Sequence, residues 1–301
     1  MNHEWLRRRI EAAVLDISMS AGNPVAVDYE RPAGDPGLFG PDSPCWEVHS
    51  DFTAMFAGGV AALLLQALHP RVLAGVWDHS DFRRDMLGRL RRTAQFIAGT
   101  TFGPRADAEA LIARVRGIHG AVRGATAEGQ PYSADDPELL AWVHVAEVSC
   151  FLRAYLRYRD PAYPAERQDG YLRDYARVAR ALGAGDVPDS RAAAEDFLLA
   201  GRGQLRYDAR TREIVRRIRH APAPGLLAHA WSRLVIRAGF DLLPPWALHM
   251  LGERPLSGPA RRALDAAVHS AARPLRWAVR NGSVHRARRR VAAGSAGAGA
   301  A

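Results

Sequence analysis

The sequence predicts an all-α protein, and two observations carry this prediction. No segment sustains a period-two alternation of apolar and polar residues, and no Asn-Gly turn lies between β-branched runs. Apolar residues instead recur at the three- and four-residue spacing of amphipathic helices along most of the chain. With 301 residues, 48% of them hydrophobic and 24% charged, the chain has the composition of a globular protein with a sizeable core.

Proline and capping residues divide this pattern into segments. A short amphipathic helix over residues 5–18 and a Pro/Gly/Asp-rich stretch over 21–50 come first, and together they form an N-terminal arm, residues 1–50. The predicted helices of a single all-α domain, residues 51–280, are 52–68, 70–77, 81–99, 106–124, 136–158, 166–182, 189–201, 209–219, 223–239, 244–251 and 257–278. Residues 281–301 combine an arginine cluster with an Ala/Gly run, which predicts a disordered tail.

All 41 basic residues are arginine, because the chain contains no lysine. This composition excludes chemistry that needs an amine, such as a Schiff base or a P-loop lysine. The formal charge of +9 is uneven, since 18 arginines and 5 acidic residues lie between Leu205 and Arg290. Such a region is typical of solvated helix faces, and it also allows peripheral contact with an anionic membrane or with nucleic acid. No DNA-reading motif is present.

Cysteine content and hydropathy indicate a cytoplasmic location. Cys45 and Cys150 are too few for a disulfide scaffold or a four-thiolate zinc site. Glu4 and Glu11 stand where a signal peptide needs an apolar stretch. The longest hydrophobic run, residues 52–68, is shorter than the about 20 residues of a membrane-spanning helix. We therefore expect this run to form a buried core helix.

Two histidines fall on the apolar stripes of predicted helices, His119 in helix 106–124 and His144 in helix 136–158. The stripes run through Leu111, Val115, Ile118 and Val122, and through Leu140, Val143, Val148 and Phe151. Both imidazoles are therefore expected to face the interior. Neutral imidazole is the common nitrogen ligand of metals and haem iron, although a histidine in this position is more often a hydrogen-bonded core residue.

An arginine and a threonine one turn apart, Arg89 and Thr93, share a face of helix 81–99. A buried arginine is costly to desolvate unless an anion meets it. Glu147 is the nearest candidate partner in the sequence pattern. The carboxylate of a bound ligand is the other candidate, and the residues alone leave the choice open.

Four motifs follow one another in order along the chain. They are QALHPRVLAGVWDHSDF (Gln66–Phe82), RLRRTAQFIAGTTFG (Arg89–Gly103), VRGIHGAVRG (Val115–Gly124) and YSADDPELLAWVHVAEVS (Tyr132–Ser149). Together they resemble the family that includes latex clearing protein, a rubber oxygenase, and the fungal MpaB-type oxygenases. The resemblance covers residues 51–160 well and extends to about residue 250.

This resemblance implies an all-α bundle that holds haem b and cleaves carbon–carbon double bonds with dioxygen. By the family's motifs, His119 would be the proximal iron ligand and His144 would lie in the same interior. Arg89 and Thr93 would lie near the haem. The leading hypothesis is therefore a haem b-dependent oxygenase that acts on a small, largely apolar, unsaturated molecule. Catalytic roles fall to Arg89, Thr93 and His144, with His119 as the metal ligand.

One departure from the family concerns Arg92. Latex clearing protein has a lysine at the matching position, which can cap the iron, whereas a protonated guanidinium is a poor ligand. The capped resting state is therefore not expected here. Candidates for a catalytic carboxylate are Asp78, Asp81 and Glu147, each of which also suits a helix cap or an arginine partner.

Two alternative functions stay open at this point. In the first, His69, His79, His119 and His144, together with a carboxylate, hold non-haem iron or another divalent ion on the same fold. In the second, the protein is not an enzyme, and its arginine-rich C-terminal third binds nucleic acid or anionic lipid.

Overall fold

The structure is a computed structural model that describes residues 3–18, 27–223 and 225–298, and it confirms the all-α fold class. The helices are α1 (His3–Ser18), α2 (Pro44–His49), α3 (Phe52–Gln66), α4 (Pro70–His79), α5 (Met86–Phe102), α6 (Arg105–Ala121), α7 (Pro137–Tyr158), α8 (Ala165–Leu182), α9 (Arg191–Ala200), α10 (Ala209–Arg219), α11 (Gly225–Asp241), α12 (Pro245–Met250), α13 (Gly258–Ala278) and α14 (Ser283–Ala298). Short 3-10 turns form at Asp81–Arg83 and Gly201–Gln204.

Helices α3 and α7 form the centre of the bundle, and most of their residues are buried. Among the described helices, α7 alone is long and apolar enough to cross a membrane, and 78% of its apolar stretch is buried inside the protein. Helices α3 and α4 pass the same test only as a pair, and the chain bends by 106° between them. These features are those of core helices, as the sequence predicts for the run at 52–68.

Gly58 lets α3 and α7 approach closely. A Cβ atom on Gly58 would lie 2.9 Å from the Cα of Phe151 and 3.0 Å from the carbonyl oxygen of Cys150. Both are backbone atoms of α7, which cannot move aside as the end of a side chain can. On the neighbouring Gly59, a Cβ would lie 3.8 Å from its nearest neighbour, an ordinary contact.

These two glycines give a matched pair for mutation. We expect Gly58→Ala to lower the free energy of unfolding by about 1–3 kcal/mol, because the methyl group would force the two central helices apart. We expect Gly59→Ala to raise it by up to about 1 kcal/mol, through the higher helix propensity of alanine. Urea denaturation followed by circular dichroism measures both values. Equal effects of the two substitutions would contradict the close packing at Gly58.

The predicted helix boundaries differ most from the structure at two places, and by at most two residues elsewhere. The predicted helix 81–99 is replaced by a 3-10 turn at Asp81–Arg83 and by α5, whose N-cap is Asp85. The predicted helix 106–124 ends at Ala121, because the chain then enters an antiparallel hairpin. The hairpin pairs β1 (Arg123–Ala125) with β2 (Pro131–Ser133), with Gly124 opposite Tyr132. Strands this short leave almost no period-two pattern in a sequence.

The tail is more ordered than predicted, and the arm contains a second short helix. Within the arm, Ser43 caps α2 and Pro44 occupies its first turn. Residues 283–298 form α14, so the prediction of a disordered tail was wrong for this stretch. Residues 1–2 and 19–26 of the arm, residue 224 of the predicted helix 223–239 and residues 299–301 of the tail lie outside the described part of the chain.

Residues 29–35 of the arm bind α14 of the tail, and we call this contact the terminal clasp. The Arg290 side chain is 1% exposed, and it donates to the carbonyl oxygens of Tyr29 (3.1 Å) and Asp35 (2.8 Å). The amide of Gly34 donates in return to the carbonyl oxygen of Arg290 at 2.8 Å. A Cβ on Gly294 would lie 2.3 Å from the Cα of Gly34, so only glycine fits at this crossing. The helix of the tail is therefore stabilised by the arm, which composition alone does not reveal.

Candidate functional site

Arg89 and Thr93 lie one turn apart in the N-terminal half of α5. Arg89 donates from Nη1 to the Ser80 hydroxyl at 3.1 Å, and Thr93 donates from Oγ1 to the carbonyl oxygen of Arg89 at 3.2 Å. Burial lowers the pKa of the Arg89 guanidinium, and the nearby Arg92 charge adds to this effect. The partner of Arg89 is therefore Ser80, and not the Glu147 that the sequence pattern offered.

A small cavity lies beside Arg89. Its volume is about 50 Å³, and its walls come from α3, α4, α5, α10 and the 3-10 turn at Asp81–Arg83. Leu73, Phe82 and Met86 supply apolar surface, and Gln66 and Arg89 supply polar groups. The cavity combines an apolar lining with one cation, which suits a ligand with an apolar body and an anionic group.

His119 lies in the last turn of α6, close to Arg89. Burial lowers the pKa of His119, an effect that the Asp135 charge opposes and the Arg89 charge increases. Its Nδ1 atom is buried and has no hydrogen-bond partner among the described residues. The imidazole is only half-buried, and Ile118 beside it is 52% exposed, so the predicted inward stripe was wrong at Ile118. The reason is that the last turn of α6 lies at the edge of the bundle, where the chain leaves for the hairpin.

His144 is a core residue of α7, 7% exposed, and its ring stacks on Tyr175 of α8 with centroids 5.9 Å apart. Burial lowers the pKa of His144 to about 3, so the ring is neutral at pH 7. Its Nε2 atom is buried and has no hydrogen-bond partner among the described residues. A neutral imidazole with an uncommitted nitrogen is able to bind a ligand or accept a proton.

Sequence reasoning missed another buried imidazole, that of His49 in α2. Its Nδ1 lies 2.8 Å from the Thr101 hydroxyl and its Nε2 lies 2.8 Å from the Tyr171 hydroxyl. The Tyr175 hydroxyl lies 3.3 Å from that of Thr100, so this polar group extends to the ring that stacks on His144. Burial lowers the pKa of His49 to about 3. The signal that would have found α2 is the capping serine followed by proline at positions 43 and 44.

The predicted site residues thus fall into two polar groups. Arg89, Thr93 and His119 lie where α5 and α6 meet, whereas His144 belongs to the group that contains Tyr175 and His49. Among the described residues, no hydrogen bond, ion pair or ring contact joins His144 to His119. The placing of all four side chains around one cofactor stays a prediction.

The three candidate carboxylates differ in their surroundings. Asp78 accepts from the Tyr132 hydroxyl at 2.9 Å and lies 3.8 Å from Arg210, as a structural partner would. Asp81 is exposed in its 3-10 turn. Glu147 is mostly buried and lies one turn from His144. Burial raises the pKa of its carboxyl group to about 7. Such a carboxyl group is able to hold or release a proton near neutral pH.

We expect the raised pKa of Glu147 to appear in the pH dependence of stability. Because the carboxyl group prefers its protonated form when folded, its contribution is fully present below pH 4.5 and is lost as the pH rises towards 7. A glutamine side chain stays neutral at every pH, so the Glu147→Gln variant does not lose stability in this way as the pH rises. The stability of the variant relative to the wild type should therefore rise between pH 5 and pH 8, by at most about 3 kcal/mol.

Urea denaturation at the two pH values measures this difference. The control is Glu128→Gln, which changes an exposed glutamate and should show no such rise. If the difference in unfolding free energy between Glu147→Gln and the wild type does not change with pH, this would contradict a buried, protonatable carboxyl group at this position.

The histidine cluster of the non-haem alternative is absent from the described residues, where no three His, Cys, Asp or Glu side chains come together to hold a metal ion. His69 is the N-cap residue of α4, and its Nε2 lies 3.2 Å from the Gln204 side-chain oxygen. His79 ends α4, with its Nε2 3.2 Å from the carbonyl oxygen of Arg123. The structure therefore gives this alternative no support.

Part of the excess positive charge in the C-terminal third is compensated by distant acidic residues. Arg276 binds Asp51 at 2.6 Å, whereas Arg261 binds Asp241, an acid of the same region, at 3.1 Å. Arg289 binds Glu30 of the arm at 2.7 Å. These arginines support the packing of the bundle, and contact of this region with a membrane or nucleic acid stays a prediction.

The fold and the candidate site define a helical protein with neutral buried imidazoles, a mostly buried carboxyl group and a partly buried arginine–threonine pair, which are groups able to bind ligands and transfer protons. The chain belongs to the family described as ER-bound oxygenase mpaB/B'/rubber oxygenase, catalytic domain, whose model matches residues 46–280. This match confirms the resemblance that the four motifs indicate, and it supports an oxygenase that acts on a small molecule with dioxygen. No curated protein and no solved structure matches the chain.

Proposed function

We propose that the protein is a haem b-dependent oxygenase of a small, apolar, unsaturated molecule, with His119 as the iron ligand. One observation carries the proposal: the buried Nδ1 atom of His119 has no hydrogen-bond partner among the described residues, and His119 lies in the segment that matches an oxygenase catalytic domain. Burial lowers the pKa of His119, which favours the neutral form that a metal ligand must adopt.

The residues around His119 fit haem chemically. Haem needs only one protein nitrogen, so the absence of a three-ligand cluster among the described residues does not count against it. Arg89 is suited to an anionic propionate, because Ser80 is a neutral partner and leaves its charge uncompensated. The cavity of about 50 Å³ beside Arg89 is smaller than a porphyrin. Haem binding therefore requires side chains at the start of α5 to move.

Bound haem would supply the activation of dioxygen, and the chain would supply orientation and proton chemistry. Arg89 would orient an anionic group of the haem, and the Thr93 hydroxyl would lie one helical turn from Arg89. Phe82 and Met86 would exclude water from the apolar side of the site. Glu147, with its pKa near 7, would hold a proton at its carboxyl group beside the neutral ring of His144.

The test is the absorption spectrum of the protein expressed with a haem precursor, followed by a pyridine haemochrome assay. We expect a strong Soret band and b-type haemochrome at close to one haem per chain. A preparation without a Soret band, even after addition of haemin, would overturn the haem assignment. The family match would then describe the fold and the oxygenase class alone.

The cytoplasmic location belongs to the same proposal. Cys45 and Cys150 are free thiols buried in α2 and α7, which is the state that a reducing compartment maintains.

A further inference from the structure

A second, larger cavity lies between α7, α8, α9 and the end of α11, and we call it the α7–α9 cleft. Its volume is about 360 Å³. Ser149, Leu152 and Arg153 contribute the wall on α7. At 100° per residue, these positions lie on the side of α7 away from His144 and Glu147. The cleft is therefore separate from the candidate oxygenase site.

Three arginines line the cleft, and two of them are already paired. Arg157 lies 2.8 Å from Asp241 and 2.7 Å from Asp265. Arg191 donates to the side chain of Gln168 at 3.0 Å and lies 3.4 Å from Glu195. Acidic residues of the protein therefore compensate the charges of these two arginines.

The third arginine has a buried donor that is not used. The Nη1 atom of Arg153 is buried and has no hydrogen-bond partner among the described residues. The Ser149 hydroxyl, one turn before Arg153 on α7, is also buried without a hydrogen-bond partner among the described residues. Ser149 is 7% exposed. Buried donors without partners are costly, because each has lost its water. A carboxylate accepts from both groups at once and neutralises the remaining charge.

The rest of the lining defines the body of the ligand. It is aliphatic and comes from Leu152, Leu156, Leu172, Ala194 and Leu242. A cavity of this volume holds an organic molecule of about ten non-hydrogen atoms. Arg153 is the lining arginine with no acidic partner among the described residues, so the cleft selects a single negative charge; a second would face Glu195 and Asp241 without a cation of its own.

We propose that the α7–α9 cleft binds a small monocarboxylate with an aliphatic or aromatic body, whose carboxylate is held by Arg153 and Ser149. The inference goes beyond the proposed function, because the cleft lies on the other side of α7 from the candidate oxygenase site. It assigns the protein a second small-molecule site.

Isothermal titration calorimetry of the full chain with octanoate and with benzoate tests the proposal. We expect saturable binding of at least one of them with a Kd of about 1 mM or lower. Octanamide has the same chain without the charge, and it should bind at least about tenfold more weakly than octanoate. Octanoate and octanamide binding equally well, or no saturable binding of either acid, would overturn the proposal.

Two substitutions in the cleft test whether the carboxylate binds there. Arg153→Gln should weaken binding of the carboxylate about tenfold or more, whereas Arg116→Gln, at an exposed position on α6, should leave it unchanged. Ser149→Leu should abolish binding by filling the cleft. Circular dichroism of each variant checks that it is folded. Binding that is unaffected by both cleft substitutions would overturn the proposal. Added haemin should not change octanoate binding, so this test is independent of the haem assignment.

Discussion

Replacement of His119 with alanine is expected to remove most of the haem from the protein if the proposed function is correct. The variant loses the one imidazole that lies both near Arg89 and within the family's ligand motif. The Soret absorbance per chain after expression with a haem precursor measures this loss, which we expect to be about tenfold or more. Circular dichroism should remain that of the wild type, because His119 is only half-buried.

The matched control is His229→Ala, since His229 is exposed on α11 and should not affect haem content. His144→Ala distinguishes the two interior imidazoles: loss of haem in this variant, with haem retained in His119→Ala, would transfer the ligand assignment to His144. Wild-type haem content and spectrum in His119→Ala would contradict the assignment of His119.

The largest effect on stability is expected at Asp51. Its carboxylate is 4% exposed, and it caps α3 by accepting from the amide of Ala54 at 2.9 Å. It also binds Arg276 of α13 at 2.6 Å. Asp51→Ala removes both interactions and leaves the partly buried Arg276 guanidinium with the carbonyl oxygen of Tyr158 but without its anion. We expect the free energy of unfolding to fall by about 3–5 kcal/mol.

Asp51→Asn separates the two contributions, because asparagine is also a good N-cap residue but carries no charge. Urea denaturation should show an intermediate loss for this variant, and almost none for Asp42→Ala at an exposed position. A loss for Asp51→Ala below about 1 kcal/mol would show that the ion pair with Arg276 contributes little.

Much of the helix pattern can be predicted from local sequence. The helix at Ala209–Arg219 is predicted to the residue, and α3, α7, α8 and α13 begin within one residue of their predicted starts. These starts are marked by proline, or by a capping residue, at the first helical positions. Such signals depend on neighbouring residues alone, so a single sequence contains them.

The features that sequence could not supply depend on contacts between distant segments. Tyr175 stacks on His144 because α7 and α8 pack together, and no spacing within either helix indicates this. The composition of residues 281–301 resembles that of a disordered segment, yet Arg290 orders α14 by binding the arm. His119 was placed by a stripe that α6 does not keep in its last turn, because the hairpin begins there.

The terminal clasp also has a consequence for the order of assembly during synthesis. Tyr29 and Asp35 leave the ribosome long before Arg290, which binds their carbonyl oxygens and follows them by 261 and 255 residues. The early segment must therefore wait, with these acceptors unpaired, until α14 has been synthesised. A nascent chain that stops short of α14 would present an open arm, and the emergence of α14 would be the event that closes the terminal clasp.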